Sequence, residues 1–381
     1  MSGWRNFCIT ELADFCNAQR IPLSAMERAH KKGNFPYYGA SGIVDYIDNY
    51  IFDGSYILIS EDGENLKSRK TPIAFEATGK FWVNNHAHVL KAKKPHLTTL
   101  IIQYFSQLDL FPYLTGAAQP KLNKASLNLI PLYLPIDESE QKAIASILSS
   151  LKDKIDLLHR QNKTLESMAE TMFRQWFIEE AQEKWTPGTL KDEFDFVMGQ
   201  SPSGSSFNED GIGMPMYQGN ADFGFRFPSN RVFTTEPTRF AEPLDTLISV
   251  RAPVGAQNMA LEKCCIGRGL SAFRFKINHE FYTYTYFKLR QLMDEIKRFN
   301  DEGTVFGSIS KSDFEKIEIT IPPYDKISSF EDIAKPINNK VIKNCHQIAK
   351  LENIRDTLLP KLMSGEVRVK YAEEEIAAMQ E

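Results

Sequence analysis

The segment TGAAQPKLNKASLNLIPLYLP, ending at Pro135, recurs in physical class as EGTVFGSISKSDFEKIEITIP, ending at Pro322. The offset is 322 − 135 = 187. Under it Gly116 meets Gly303, Leu122 meets Ile309, Lys124 meets Lys311, Leu127 meets Phe314, Ile130 meets Ile317 and Leu134 meets Ile321. Upstream, Trp4 and Trp185 each open a segment. Ile9, Asp14 and Phe15 match Leu190, Asp195 and Phe196 at an offset of 181, and Pro36-Tyr37-Tyr38 matches Pro215-Met216-Tyr217 at 179. A slowly drifting offset marks loop insertions in a duplicated unit. The chain therefore builds one fold twice, each copy about 185 residues long, opening at a Trp and ending in a helix.

The closing helix of the first copy carries Ile144, Leu148, Leu151, Ile155, Leu158, Asn162, Leu165, Ala169, Met172 and Trp176 at 4-3 spacing. That pattern lays one narrow apolar seam along a long helix. At an offset of 186 the second copy supplies Ile337, Val341, Asn344, Ile348, Leu351, Arg355, Leu358 and Leu362. Such a seam needs a partner, and the two helices are each other's nearest candidates. About 38 residues from Gln141 give a rod of roughly 55 Å, in which Asn162 and Asn344 set register at a cost in stability. The alternative is two helices in an ordinary bundle.

Ahead of each helix the pattern is short strands and turns: 55–60, 72–77, 81–84 and 88–92, then 246–250, 271–276 and 317–321. Short helices are predicted over 97–109 and 281–298. The fold class is α+β, with mixed α/β domains followed by spacer helices.

Composition limits the function. Hydrophobic residues make up 42%, enough for ordinary cores, while 45 Lys and Arg against 49 Asp and Glu leave a net charge of −4. No global positive field advertises nucleic acid, so any such contact must be local. The five Cys, at 8, 16, 264, 265 and 345, form no CxxC pair and read as reduced thiols rather than a zinc ribbon. MSGWRNFCITELADF has no signal-length apolar run, and about 18 consecutive apolar residues occur nowhere. These features predict a cytoplasmic protein with no membrane partner.

Catalytic signatures are missing. A SAM-dependent amino-methyltransferase needs Asn or Asp ahead of Pro-Pro-Tyr, yet Ile321 precedes Pro322-Pro323-Tyr324 and offers the amine no acceptor. Ala77-Thr78-Gly79-Lys80-Phe81 lacks the first Gly and the hydroxyl residue of a P-loop. His86 and His88 share a strand face, which can begin a metal site; no Cys or carboxylate pair completes one at ligand spacing, so no metal is predicted. No GxSxG elbow is present.

Charge divides unevenly. Residues 1–135 hold 14 basic and 11 acidic groups, 136–184 hold 7 and 10, and 185–322 hold 15 and 18. Within the second copy, 226–274 contains six Arg and one Lys against four acids. Arginine's planar fork suits phosphates and the O6/N7 edge of guanine. Lys67-Ser68-Arg69-Lys70 and Lys91-Ala92-Lys93-Lys94 are the basic runs of the first copy. Tyr37, Tyr38, Asn85, His86, Tyr217, Gln218 and Asn220 are nearby residues of base-reading type.

Several segments in order resemble the specificity subunit of type I restriction-modification systems over nearly the whole chain. They are PYYGASG at 36–42, DGSYILISEDGENL at 53–66, KFWVNNHAHVL at 80–90, LISVRAPVGA at 247–256, CCIGRGLSAFR at 264–274, GSISKSDFEKIEITIPP at 307–323 and LLPKLMSGEVRV at 358–369. The resemblance implies two target-recognition domains, each reading half of a bipartite double-stranded DNA target, held apart by two helices that pair as an antiparallel coiled coil. It implies a subunit without catalytic activity, on which two modification (N6-adenine methyltransferase) subunits dock, joined by restriction (motor-nuclease) subunits. SAM, ATP and Mg²⁺ then belong to those partners and no cofactor to this chain.

The expected division is 1–135, first recognition domain; 136–184, first spacer helix; 185–322, second recognition domain; 323–370, second spacer helix; 371–381, an acidic tail outside the motif set. Candidate DNA-facing residues are Lys67, Arg69, Lys70, Asn85, His86, Lys121 and Lys124 in the first copy, and Arg226, Arg231, Arg251, Arg268 and Lys311 in the second. Rival readings are a coiled-coil adaptor that binds protein rather than DNA, and a self-contained DNA methyltransferase.

Overall fold

The computed structural model describes residues 3–116, 119–302 and 307–369; Gly303 and the acidic tail lie outside them. Contacts divide the chain into two units, one of residues 1–156 and 349–381 and one of residues 157–348. Each unit thus owns one copy of the mixed α/β domain together with part of both long helices.

In the first unit the alternating apolar runs form a six-stranded sheet. Its order is Ala13–Phe15, Ala87–Ala92, Phe52–Ser60, Ala74–Val83, Lys32–Gly39 and Gly42–Ile47. The two runs predicted at 72–77 and 81–84 are one strand. The predicted 97–109 helix spans Pro95–Gln107 and buries Leu97, Leu100, Ile101 and Phe105. Trp4–Phe7 pairs antiparallel with Leu132–Pro135, so the opening Trp of the copy meets its closing Pro.

The second unit repeats this plan with interruptions. Phe194–Met198, Leu270–Phe275, Thr246–Ser249 and Gln257–Met259 take the same order as the first four strands above. The long fourth strand is broken here: Cys264–Ile266 belongs to a separate five-stranded sheet beside Met214–Tyr217. Thr186–Thr189 pairs with Glu318–Ile321, as Trp4–Phe7 pairs with Leu132–Pro135. The predicted 281–298 helix is two helices, Tyr282–Gln291 and Met293–Glu302.

The long helices are Glu138–Arg174, continued by a π turn at Gln175–Glu179, and Tyr324–Ser364. They run antiparallel. In the second unit Asn162 meets Asn344, Phe173 meets Phe330 and Glu180 meets Lys326; in the first unit Glu140 meets Arg368. Leu148, Leu151, Ile155, Leu158, Val341, Ile348, Leu351 and Leu358 are all buried.

The strict 4-3 seam does not persist over the full length. Beyond Asn162 the buried positions are Glu166, Ala169, Phe173 and Phe177, while the expected Leu165 and Met172 are half-buried, as is Ile337. A straight helix of 3.6 residues per turn drifts off a 3.5-residue repeat by about 20° per heptad. The core of the second unit captures that drifted face, with Phe173 and Phe177 packed on Tyr284 and Phe330. In the first unit Ile354 rather than Arg355 fills the seam, and Arg355 turns to Asp356.

Candidate DNA interface

Strand register aligns the two copies residue by residue. Tyr37 and Tyr38 pair in parallel with Trp82 and Val83; Met216 and Tyr217 pair in parallel with Cys265 and Ile266. The offsets are 216 − 37 = 179 and 265 − 82 = 183, and the second carries Asn84-Asn85-His86 onto Gly267-Arg268-Gly269. The same backbone bond fixes both turns: Asn84 N donates to Tyr38 O at 3.1 Å, and Gly267 N to Tyr217 O at 2.8 Å. The bridge of Asp62 with Lys121 likewise has its counterpart in Arg251 with Ser308. Residues singled out separately in the two halves thus sit on one repeated frame.

In the second unit the frame is closely packed and hydrogen-bonded. A Cβ on Gly269 would lie 2.3 Å from the Gln218 carbonyl oxygen, so only glycine permits this close approach. Gly269 N donates to that oxygen at 3.1 Å, and Arg268 N donates to Ser201 Oγ at 3.2 Å. Ser201 Oγ in turn donates to Gln218 Oε1 at 2.8 Å. Arg268 and Arg251 are exposed and line an open cleft of about 690 Å³ with Phe207, Gln218 and Asn220. Among the described residues neither arginine has an ion-pair partner.

The first unit puts other chemistry on the same frame. His86 Nδ1 lies 2.9 and 3.0 Å from the two Asp62 carboxylate oxygens, and His86 N donates to Asn84 Oδ1 at 2.8 Å. Asn85, at the tip, is exposed. Lys121 Nζ is 3.6 Å from Glu61, which Arg20 grips at 2.7 Å. Burial pushes the Glu61 carboxyl up, but the hydrogen bond and charge of Arg20, with the charge of Lys121, hold it below its ordinary value. Lys124 lies over the Phe15 ring at 4.7 Å. Lys67 and Lys70 are exposed, without an ion pair among the described residues.

His88 does not share the exposed face with His86. It is 1% exposed, with Nδ1 bonded to Asn17 and Nε2 to the Leu122 carbonyl, and burial pushes its imidazole pKa down. Both ring nitrogens are occupied, and among the described residues no group of three His, Cys, Asp or Glu is placed to hold a metal ion.

The structure engages several other candidates with protein groups. Arg69 is committed to the end of the Pro95–Gln107 helix, its guanidinium donating to the carbonyls of Phe105, Ser106 and Leu108 at 2.7 to 2.8 Å. Arg226, expected at the surface, is 1% exposed, lies over the Tyr286 ring at 4.0 Å and pairs with Glu166 at 3.3 Å. Arg231 is partly neutralised by Asp222 at 2.9 Å, with Glu209 at 3.8 Å, and Lys311 by Glu315 at 3.7 Å. In the 91–94 run, Lys93 donates to the Thr10 carbonyl, Lys94 pairs with Glu138, and Lys91 lies over Tyr56.

A family model described as the type I restriction modification DNA specificity domain matches twice, over residues 1–167 and 182–350. The chain belongs to this family. It is 31% identical over 295 residues to the protein named as the MjaX type I restriction enzyme specificity subunit of Methanocaldococcus jannaschii, covering 73% of this chain and 69% of that one. With the MjaIX specificity subunit of the same organism it shares 27% identity over 387 residues, 88% of each. The crystal structure of a type I S subunit from M. genitalium has the same fold, with a TM-score of 0.66 at 19% identity over 94% of this chain and 96% of that one.

For this specificity-domain chain, sequence reasoning missed Asp62 and Ser201, which hold the two tips through contacts distant in sequence. The signal that was available is Gly-Arg-Gly at 267–269, an arginine between two residues that permit close backbone approach.

Proposed function

We propose that this chain is the non-catalytic DNA-reading and assembly subunit of a type I restriction-modification complex. Each copy reads one half of a bipartite double-stranded target, and the paired helices set the gap. Two modification subunits, with restriction subunits added for cleavage, supply SAM, ATP and Mg²⁺ chemistry. The observation that carries this reading is the repeated loop frame whose tips differ: Asn85 and the His86–Asp62 pair in one copy, Arg268 and Arg251 in the other. One frame with two chemistries suits two unlike half-sites better than it suits an adaptor. The test is co-expression with the neighbouring modification subunit in a methylation-free host, followed by mapping of modified adenines. A split motif with a fixed gap that disappears when this chain is omitted supports the reading. A folded complex that leaves no motif, together with salt-independent DNA binding by the chain, favours the adaptor.

A further inference from the structure

We infer that the second copy recognises a half-site containing guanine, read in the major groove by Arg268 with Arg251 beside it. The inference rests on the DNA-reading function proposed above and names the base that one tip selects.

Three observations support it. First, base readout by arginine needs a guanidinium free to bond, and the neighbouring arginines differ in that respect. Arg226 is buried against Glu166, Arg231 is held by Asp222 and Arg274 by Asp245. Arg251 and Arg268 have no such partner among the described residues, and both face one cleft.

Second, the Arg268 backbone is held before any ligand arrives. Bonds from Gly267 N, Arg268 N and Gly269 N fix three consecutive residues, at 2.8, 3.2 and 3.1 Å. This fixes the point from which the side chain reaches into the cleft and leaves the guanidinium N–H groups unengaged for a base edge.

Third, the acceptor pattern selects the base. Guanine alone presents two acceptors, N7 and O6, side by side in the major groove, matching two parallel guanidinium N–H groups. Adenine places a donor beside its N7 and suits an amide. At the equivalent position the first copy presents the Asn85 amide, so the two tips ask for different bases from the same place on the frame.

The experiment uses the full chain assembled with its modification subunit and a pool of randomised duplex DNA, sequenced after selection. The unaltered complex should enrich a split motif with guanine in one half. Arg268→Ala should relax that position by about 5- to 150-fold in discrimination while the other half stays intact. Arg268→Gln replaces the fork by an amide, which suits adenine rather than guanine, and should move the same position away from guanine; it also serves if the alanine variant fails to assemble. A split motif that keeps its guanine in both variants overturns this inference and leaves the specificity role standing. So does a uniform loss over all sequences, which marks a phosphate contact. No enriched motif with the unaltered complex overturns the proposed function and this inference with it.

Discussion

Asn162 and Asn344 meet in the seam of the second unit, both 0% exposed, with Asn344 Nδ2 donating to Asn162 Oδ1 at 2.9 Å. Asn162 Nδ2 lies 3.5 Å from Cys345 Sγ, and Asn344 Oδ1 has no partner among the described residues. Leucine repeats the heavy-atom branching of asparagine without its polar groups. Asn344→Leu alone strips Asn162 Oδ1 of this donor, and an orphaned buried polar atom costs about 1–3 kcal/mol. Asn162→Leu orphans the Asn344 amide in the same way. The double substitution removes both amides, including the oxygen already unpaired, and should return to within about 1 kcal/mol of the parent or exceed it. The unit spans 348 − 157 + 1 = 192 residues, a size at which 1 kcal/mol moves Tm by about 2–4 °C. Each single variant should therefore melt about 2–12 °C lower, and the double variant should recover most of the loss. Calorimetry of the full chain through the complete cycle gives the coupling directly. A double variant whose loss equals the sum of the singles would refute the argument, because it would show that the pair is not a mutually satisfied buried contact.

Glu166 receives Arg290 at 2.5 Å as well as Arg226 at 3.3 Å. Glu166→Ala leaves the fully buried Arg226 uncompensated, for which about 3–5 kcal/mol is typical; Arg226→Ala leaves Glu166 still paired and should cost less. Equal losses in urea midpoint would contradict this order. His88 is held neutral by burial, with its pKa below the ordinary value. As pH falls below about 6.5 the unfolded chain binds protons first, so stability drains until the folded pKa is passed. His88→Asn should flatten that slope as pH falls below about 6.5, and parallel slopes would discard the assignment. Lys67→Ala and Lys70→Ala should each reduce the log-log salt slope of DNA binding by about 0.9 if each contacts a phosphate. Arg69→Ala should leave the slope alone and lower Tm; a change in slope would return Arg69 to the DNA-facing set.

The frame was legible in the sequence because burial constrains it. Leu127 and Phe314, or Ile130 and Ile317, occupy equivalent interior positions where any residue of the right class fills the space, so the repeat survives in class. The same logic exposed the seam, and also limits it. A 4-3 count assumes a helix that follows the 3.5-residue repeat, whereas Phe173 and Phe177 enter the core of the second unit from the drifted face. The broken fourth strand was also legible only in part, since nothing local in Ala260-Leu261-Glu262-Lys263 announces that the next strand joins a different sheet.

The tips were harder to read because an arginine's role depends on what stands opposite it. Arg226 and Arg268 are equal as letters. One is drawn inward by Glu166, sixty residues away in sequence; the other is held outward by a backbone that Gly269 alone permits. Sequence counting gave both the same weight, and only the partner separates them. The same reasoning accounts for the divergence of the two copies. Asp62 and Arg251 share a backbone bridge position, so the fold tolerates either sign of charge there. A position that packing leaves open to opposite charges is one at which a duplicated frame can acquire a second specificity without refolding. On the proposed reading, the tips and bridge positions, rather than the cores, are therefore the residues to exchange when a new half-site is wanted.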